Sequence, residues 1–178
     1  MITSKTIFGF GSLISKASLL TTAPNATDIK PAYIKGFIRS FSHWDAIGYT
    51  ETNLDVAGEP MCALDIAETN DAEARVNGVV FTVSEPDLSK LLEREDGYEL
   101  LTATAYNYIT GKPIIEDCLV FSAGKHDGKY DFNSQAQQRY LDIFIEAAKQ
   151  YGELFYQEVL DTTFVGAQKL RELNKLVD

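Results

Sequence analysis

The sequence is poor in the residues that metal and thiol chemistry draw on: it has two histidines and two cysteines in 178 residues. His43 and His126 lie far apart, and neither belongs to an HExxH motif or a comparable ligand spacing, so no metal centre is expected. Cys62 and Cys118 form no CxxC pair and sit in apolar, strand-like runs. Free buried thiols in a reducing, cytoplasmic setting are the expectation. Long hydrophobic runs are missing too. Nothing approaches the ~20 apolar residues of a membrane helix, and MITSKTIFGFG has no apolar stretch with a small-residue cleavage site, so no secretory leader is expected. Positive charge is scarce: 16 Lys and Arg stand against 26 Asp and Glu, for a net charge of −10. That balance argues against nucleic acid and anionic membranes as partners. It leaves room for a small anionic ligand, because a local nest of backbone N–H groups can outweigh the global field.

What is present is an ordinary globular composition, 45% hydrophobic and 24% charged, with length enough for one domain over residues 1–178. KTIFGF at 5–10 reads as a buried strand that breaks at Gly11-Ser12, and LISKASLL opens a short helix capped by Ser12 or Ser15. Residues 31–44 read as one long strand bent at Gly36, and 45–60 as a loop. Strands follow over 61–68, 75–83, 99–109 and 112–122, with a helix from Ser84 to about Asp96 between the second and third. Helices are expected from Gln135 to Gly152, over 153–161, and peripherally over 166–178. This order argues for an α+β fold, and many short strands with bulge glycines fit a small mixed or antiparallel barrel with flanking helices.

Two stretches carry possible chemistry. In LLEREDGYEL, residues 91–100, Leu88, Leu91 and Leu92 form an apolar stripe that Glu95 extends, while Glu93, Arg94 and Asp96 fall off it. Ser84 is placed as N-cap with Asp87 reaching back to it, and Gly97 ends the helix. A carboxylate at the end of a buried stripe would be desolvated and pushed toward proton-transfer chemistry; alternatively, the helix frays there and Glu95 reaches water. In FGFGSL, residues 8–13, a strand turning into a helix at Gly-Ser converges backbone N–H groups, as a carboxylate or phosphate site does; alternatively, it is a tight turn with Ser12 as a cap. The stretch lacks the third glycine of a dinucleotide fingerprint and any following GK[ST], so no nucleotide cofactor is expected. It is no GxSxG elbow either. Arg39, Arg75 and Arg94 are read as anion-binding candidates; Arg39 and Arg75 read equally as strand charges facing water, and Arg94 lies off the buried stripe.

FGFGSL followed some eighty residues later by REDGY resembles the γ-glutamylcyclotransferase-like superfamily, in particular its ChaC-type branch. GFIRSF at 36–41, RVNGVVF at 75–81 and RYLDIFIEAAKQYGELF at 139–155 also look like family segments, so the resemblance spans most of the chain. It implies a γ-glutamyl small-molecule substrate, no cofactor, and release of 5-oxoproline with a free amine, amino acid or dipeptide. It implies Glu95 as the catalytic acid and base. It implies that Phe10, Gly11, Ser12 and Leu13 hold the substrate's α-amino-acid end, and that Tyr140 binds the same end; as a residue of a helix face, Tyr140 reads equally as core packing. Phe10 departs from the family's usual tyrosine and removes a hydroxyl from the loop. A noncatalytic ligand-binding or interaction module on the same fold is the other reading, and assay for 5-oxoproline separates the two.

Overall fold

The computed structural model describes residues 4–45, 61–95 and 97–173. Most of the loop read over 45–60, as well as Asp96 and residues 174–178, lies outside them. Strands β1 (Lys5–Gly9), β2 (Thr27–Lys35), β5 (Arg75–Val83), β6 (Glu99–Asn107) and β7 (Pro113–Ser122) close into a barrel in the order β1-β5-β2-β6-β7. All its pairs are antiparallel except the closing one, where β1 runs parallel to β7 through Ile7 opposite Leu119 and Phe8 opposite Val120. This is the small mixed barrel that the strand pattern suggested.

A second sheet, in the order β4-β3-β8-β9, is built from β3 (Phe37–Asp45), β4 (Met61–Glu68), β8 (Thr163–Val165) and β9 (Gln168–Lys169). The long strand read over 31–44 is in fact two strands, and they belong to different sheets. Gly36 makes the break at a φ of 78°, which glycine adopts without cost. Its N–H donates to Ala74 O at 2.8 Å and its carbonyl accepts from Thr69 N at 2.9 Å. The helix read over 166–178 is also corrected over its described part, residues 166–173. The chain turns at Gly166 (φ 60°) into β9 and a 3-10 turn at Leu170–Glu172. The apolar spacing of Leu170 and Leu173 does report burial, but β8 pairs with β3 and draws this segment into the sheet rather than into a helix.

Among the described residues, four α-helices cover the sheets: α1 (Lys16–Thr22), α2 (Glu85–Arg94), α3 (Gln135–Lys149) and α4 (Glu153–Thr162). Ser15 rather than Ser12 caps α1, accepting from Ser18 N at 3.3 Å. In α3 the stripe Leu141, Phe144, Ile145 and Ala148 is buried as its spacing requires. Cys62 and Cys118 are free and buried, and burial pushes both thiols up to about 12.

One buried cation joins these layers. Arg39, on β3, is completely buried, so neither reading of it as an anion binder or as a solvent-facing charge holds. Its Nε donates to Thr163 Oγ1 at 2.8 Å, its Nη1 to Phe10 O at 3.1 Å and Asn77 O at 2.6 Å, and its Nη2 to Asn77 Oδ1 at 2.9 Å and Thr162 Oγ1 at 3.2 Å. The Phe144 ring lies 5.1 Å from the guanidinium carbon. Desolvation lowers the guanidinium to about 9, leaving it charged at neutral pH. Arg75 is likewise spoken for: its Nη2 donates to Glu158 Oε2 at 2.9 Å and its guanidinium covers the Tyr33 ring.

Replacing Arg39 with Leu strips a charged donor from several buried acceptors at once. A loss of about 3–5 kcal/mol in unfolding free energy is expected, read by urea denaturation. A variant within 1 kcal/mol of the parent, roughly the worth of one ordinary hydrogen bond, would show the guanidinium to be dispensable.

Candidate functional site

The loop after β1 is shaped by close packing. A side chain at Gly9 would put its Cβ 2.8 Å from Leu13 Cβ, so the chain folds back on itself only because position 9 is glycine. The fold-back is a 3-10 turn over Ser12–Ile14, with Ile14 N donating to Gly11 O and Ser15 N to Ser12 O, both at 3.0 Å. Phe10 and Leu13 turn their side chains into the core, so what they offer the loop is backbone. The Phe10 carbonyl is the one held by Arg39.

Tyr140 arrives from α3 and is 4% exposed. Its hydroxyl accepts from Leu64 N at 3.3 Å and lies 3.3 Å from where a Cβ on Gly11 would stand. The two readings of Tyr140, core aromatic and site hydroxyl, therefore meet in one residue: the ring packs edge-on against Phe41, and the oxygen faces the glycine of the loop.

Helix α2 is seated differently from the stripe read in its sequence. Leu91 is buried, but Leu92 is 43% exposed. The inward face is Asp87, Leu91 and Arg94, spaced i, i+4 and i+7. Asp87 makes no capping box, since the Ser84 side chain forms no cap bond. Its carboxylate turns inward instead, accepting from Asn25 N at 3.1 Å. Arg94, read as lying off the stripe, is 10% exposed by side chain and reaches across α1. It donates to Ser18 O, Thr22 Oγ1, Ser18 Oγ and, at 3.1 Å, to Ser12 Oγ. The helix ends at Arg94, and Glu95 is its C-cap. Helix propagation thus stops where the sequence allowed fraying, yet the Glu95 side chain stays 15% exposed, with Oε1 3.5 Å from Arg94 Nε. A turn closed by Tyr98 N to Glu95 O at 2.9 Å follows, carried by Gly97 at φ 87°.

The structure thus links the sequence-selected residues in a chain of contacts: Glu95 to Arg94, Arg94 to Ser12, and Gly11 to Tyr140. Arg94 stands in the sequence as an anion-binding candidate off the apolar stripe; what sequence reasoning missed is its seat against α1. Its signal was the seven-residue spacing from Asp87, two turns along one face, opposite the Ser- and Thr-rich α1.

A second polar cluster lies on β3 and β4. Asp65 is completely buried. Its Oδ1 accepts from Ile66 N at 2.8 Å and Ala123 N at 3.0 Å. Its Oδ2 stands 3.3 Å from His126 Nδ1, at ion-pair range but without the alignment of a hydrogen bond. Burial pushes the Asp65 carboxyl above the usual carboxylate range, against the pull of its two N–H donors and of His126 and His43. The His43 ring meets Tyr98 edge-on at 4.9 Å. Among the described residues, no cluster of three His, Cys, Asp or Glu side chains could hold a metal ion, and no helix is long and apolar enough to cross a membrane.

Because the folded-state pKa of Asp65 is raised, ionisation costs the fold stability as pH climbs through that pKa, and the cost vanishes at low pH where both states are protonated. Asp65→Asn should therefore unfold at an equal or higher temperature than the parent at pH 8, with the difference shrinking toward pH 4. A melting temperature at pH 8 well below the parent's would show that the charge itself is needed.

With the geometry in place, three comparisons bear on it. Residues 6–156 match the family model described as "ChaC-like protein". No curated protein matches the chain. Among solved structures, a γ-glutamyl cyclotransferase superposes with a TM-score of 0.69 at 19% identity, covering 99% of this chain and 94% of that one. An uncharacterized human protein gives 0.65 at 21%, covering 93% and 91%. A yeast γ-glutamyl cyclotransferase described as specific to glutathione gives 0.61 at 17%, covering 89% and 95%. At these identities the likeness is one of fold.

Proposed function

The chain belongs to the ChaC-like family, and from that premise we propose that it is a γ-glutamylcyclotransferase acting on glutathione or on γ-glutamyl amino acids or amines. The observation that carries this reading is the guanidinium of Arg94, which joins the two motifs by touching Ser12 Oγ at 3.1 Å and Glu95 Oε1 at 3.5 Å. Two stretches some eighty residues apart in sequence need a reason to share one side chain, and a common small-molecule site supplies it.

In the proposed reaction the loop Phe10–Leu13 and the Tyr140 hydroxyl hold the α-amino-acid end of the substrate. Glu95 takes a proton from the α-ammonium group. The freed amine attacks the γ-carbonyl carbon, forming a carbon–nitrogen bond and closing the five-membered lactam. The bond from that carbon to the leaving nitrogen then breaks as the proton held by Glu95 passes to the departing amine; the surplus proton on the ring nitrogen passes to the freed carboxylate and on to the released amine, which leaves as an ammonium. The products are 5-oxoproline and a free amine, and the carboxylate is regenerated. One residue serves as base and then as acid. Folding the flexible γ-glutamyl chain into attack geometry contributes up to about 7–11 kcal/mol in well-oriented intramolecular reactions.

Purified protein incubated with glutathione and a panel of γ-glutamyl amino acids and amines should release 5-oxoproline from at least one of them. Release from none would remove the activity and favour a noncatalytic ligand-binding module. Glu95→Gln should lower turnover by ~10²–10⁴-fold with substrate affinity nearly kept. With Arg94 alongside, the parent carboxylate is not an unpaired buried charge, so the melting temperature should change little. Glu93→Gln, on the exposed side of α2, is the control and should match the parent in both measurements.

Gly11→Val tests the loop. Its branched side chain would meet the Tyr140 hydroxyl and Leu64 Cβ, which stand 3.3 and 3.5 Å from the Cβ position. Calorimetry with a γ-glutamyl ligand should show at least tenfold weaker binding, equivalent to about 1.4 kcal/mol. Unchanged affinity in a folded variant would dissociate Gly11 and Tyr140 from the ligand.

A further inference from the structure

We propose that Arg94 is the positioning residue of this site: it fixes the Glu95 carboxylate relative to the substrate-binding loop and sets Ser12 as a hydrogen-bond donor toward the substrate. The inference rests on the γ-glutamylcyclotransferase reading above.

A guanidinium offers five N–H donors in a rigid planar fork and accepts nothing. In Arg94 the fork is bolted to α1 from several directions. Nη1 donates to Ser18 O at 3.1 Å and to Thr22 Oγ1 at 2.8 Å, and Nη2 donates to Ser18 Oγ at 2.9 Å. Thr22 is the last residue of α1, where the helix dipole favours a positive charge. A side chain held at that many points does not swing, so the groups on its remaining donors inherit a fixed position. Those groups are Ser12 Oγ on Nη2 and Glu95 Oε1 facing Nε.

Two consequences follow for the reaction. First, Ser12 accepts from Arg94, so its own hydroxyl hydrogen must point away from the cation. It is thereby turned into a donor for an acceptor on the far side, the role that gripping an α-carboxylate requires. Second, the positive charge beside Glu95 favours the ionised carboxylate, so the base stands ready when the substrate's ammonium group arrives. Because Arg94 immediately precedes Glu95, the seating of α2 on α1 determines where the base sits. The Arg-Glu pair is then one device: the arginine holds and the glutamate transfers the proton.

The test is steady-state release of 5-oxoproline across pH by the parent, Arg94→Gln and Arg94→Lys, alongside thermal unfolding of each. Arg94→Gln should lose at least tenfold in kcat/KM, and the acid limb of its profile should move to higher pH because the cation no longer favours the carboxylate. Arg94→Lys keeps the charge but not the fork. It should return the acid limb toward the parent while KM stays raised, because an ammonium cannot hold Ser12 and α1 together. Split behaviour of this kind is not produced by a loss of folded protein. A folded Arg94→Gln with the parent's kcat, KM and pH profile would overturn the proposal. So would a loss accounted for entirely by the unfolded fraction, or failure of both variants to fold, since each makes the residue purely structural. Failure of the parent itself to release 5-oxoproline would overturn the activity reading, and this role with it.

Discussion

The rest of the structure depends on a buried cation that, among the described residues, has no carboxylate in direct contact. Arg39 is surrounded by neutral oxygens from the loop after β1, from β5 and from the junction of α4 with β8. Removing a guanidinium from water is expensive, and the cost is offset only while every donor finds an acceptor. That requirement forces elements as far apart as Arg39 and Thr163, 124 positions along the chain, into one arrangement. Sheet, barrel and C-terminal helices are registered by it, and the Phe10 carbonyl is among the groups it registers.

Arg94 plays a comparable part nearer the surface. The two arginines approach the same loop from opposite ends, one at the Phe10 carbonyl and one at the Ser12 hydroxyl. Gly11, between them, faces Tyr140. The loop is bonded to two cations and faced by one aromatic hydroxyl, each on a different element. Preorganisation of this sort costs stability in desolvated charge and returns it as fixed geometry at the site.

The barrel strands, the helix ahead of Glu95 and the long helix at Gln135–Lys149 were legible in the sequence because each has its own periodicity and punctuation. The division of 31–44 into two strands was not, since a bent strand and a change of sheet at Gly36 leave the same local signature. Nor was the fate of Leu170 and Leu173, whose helical spacing was overridden by pairing of β8 with β3. The candidate site shows the same boundary. Its motif residues could be singled out by type and spacing. Which way α2 faces could not, because the stripe of leucines competes with Asp87 and Arg94, and their polar partners are Asn25 and groups on α1. Asp65 gave no signal, as an acidic residue in an apolar strand normally marks the solvent side.

β1 is the strand that closes the barrel and also the strand that leads into the loop. One edge lies against β5, and the other against β7 at Ile7 and Phe8. During synthesis β1 emerges well before β7 and must wait until Leu119 and Val120 have been made before its second edge is covered. Until then an apolar strand edge stays open, the kind of template that recruits wrong partners. Closure of the barrel is therefore tied to a pairing of high sequence separation, the slow class of folding event. A nascent chain that already contains both motifs still has no closed barrel to hold them until β7 has been made.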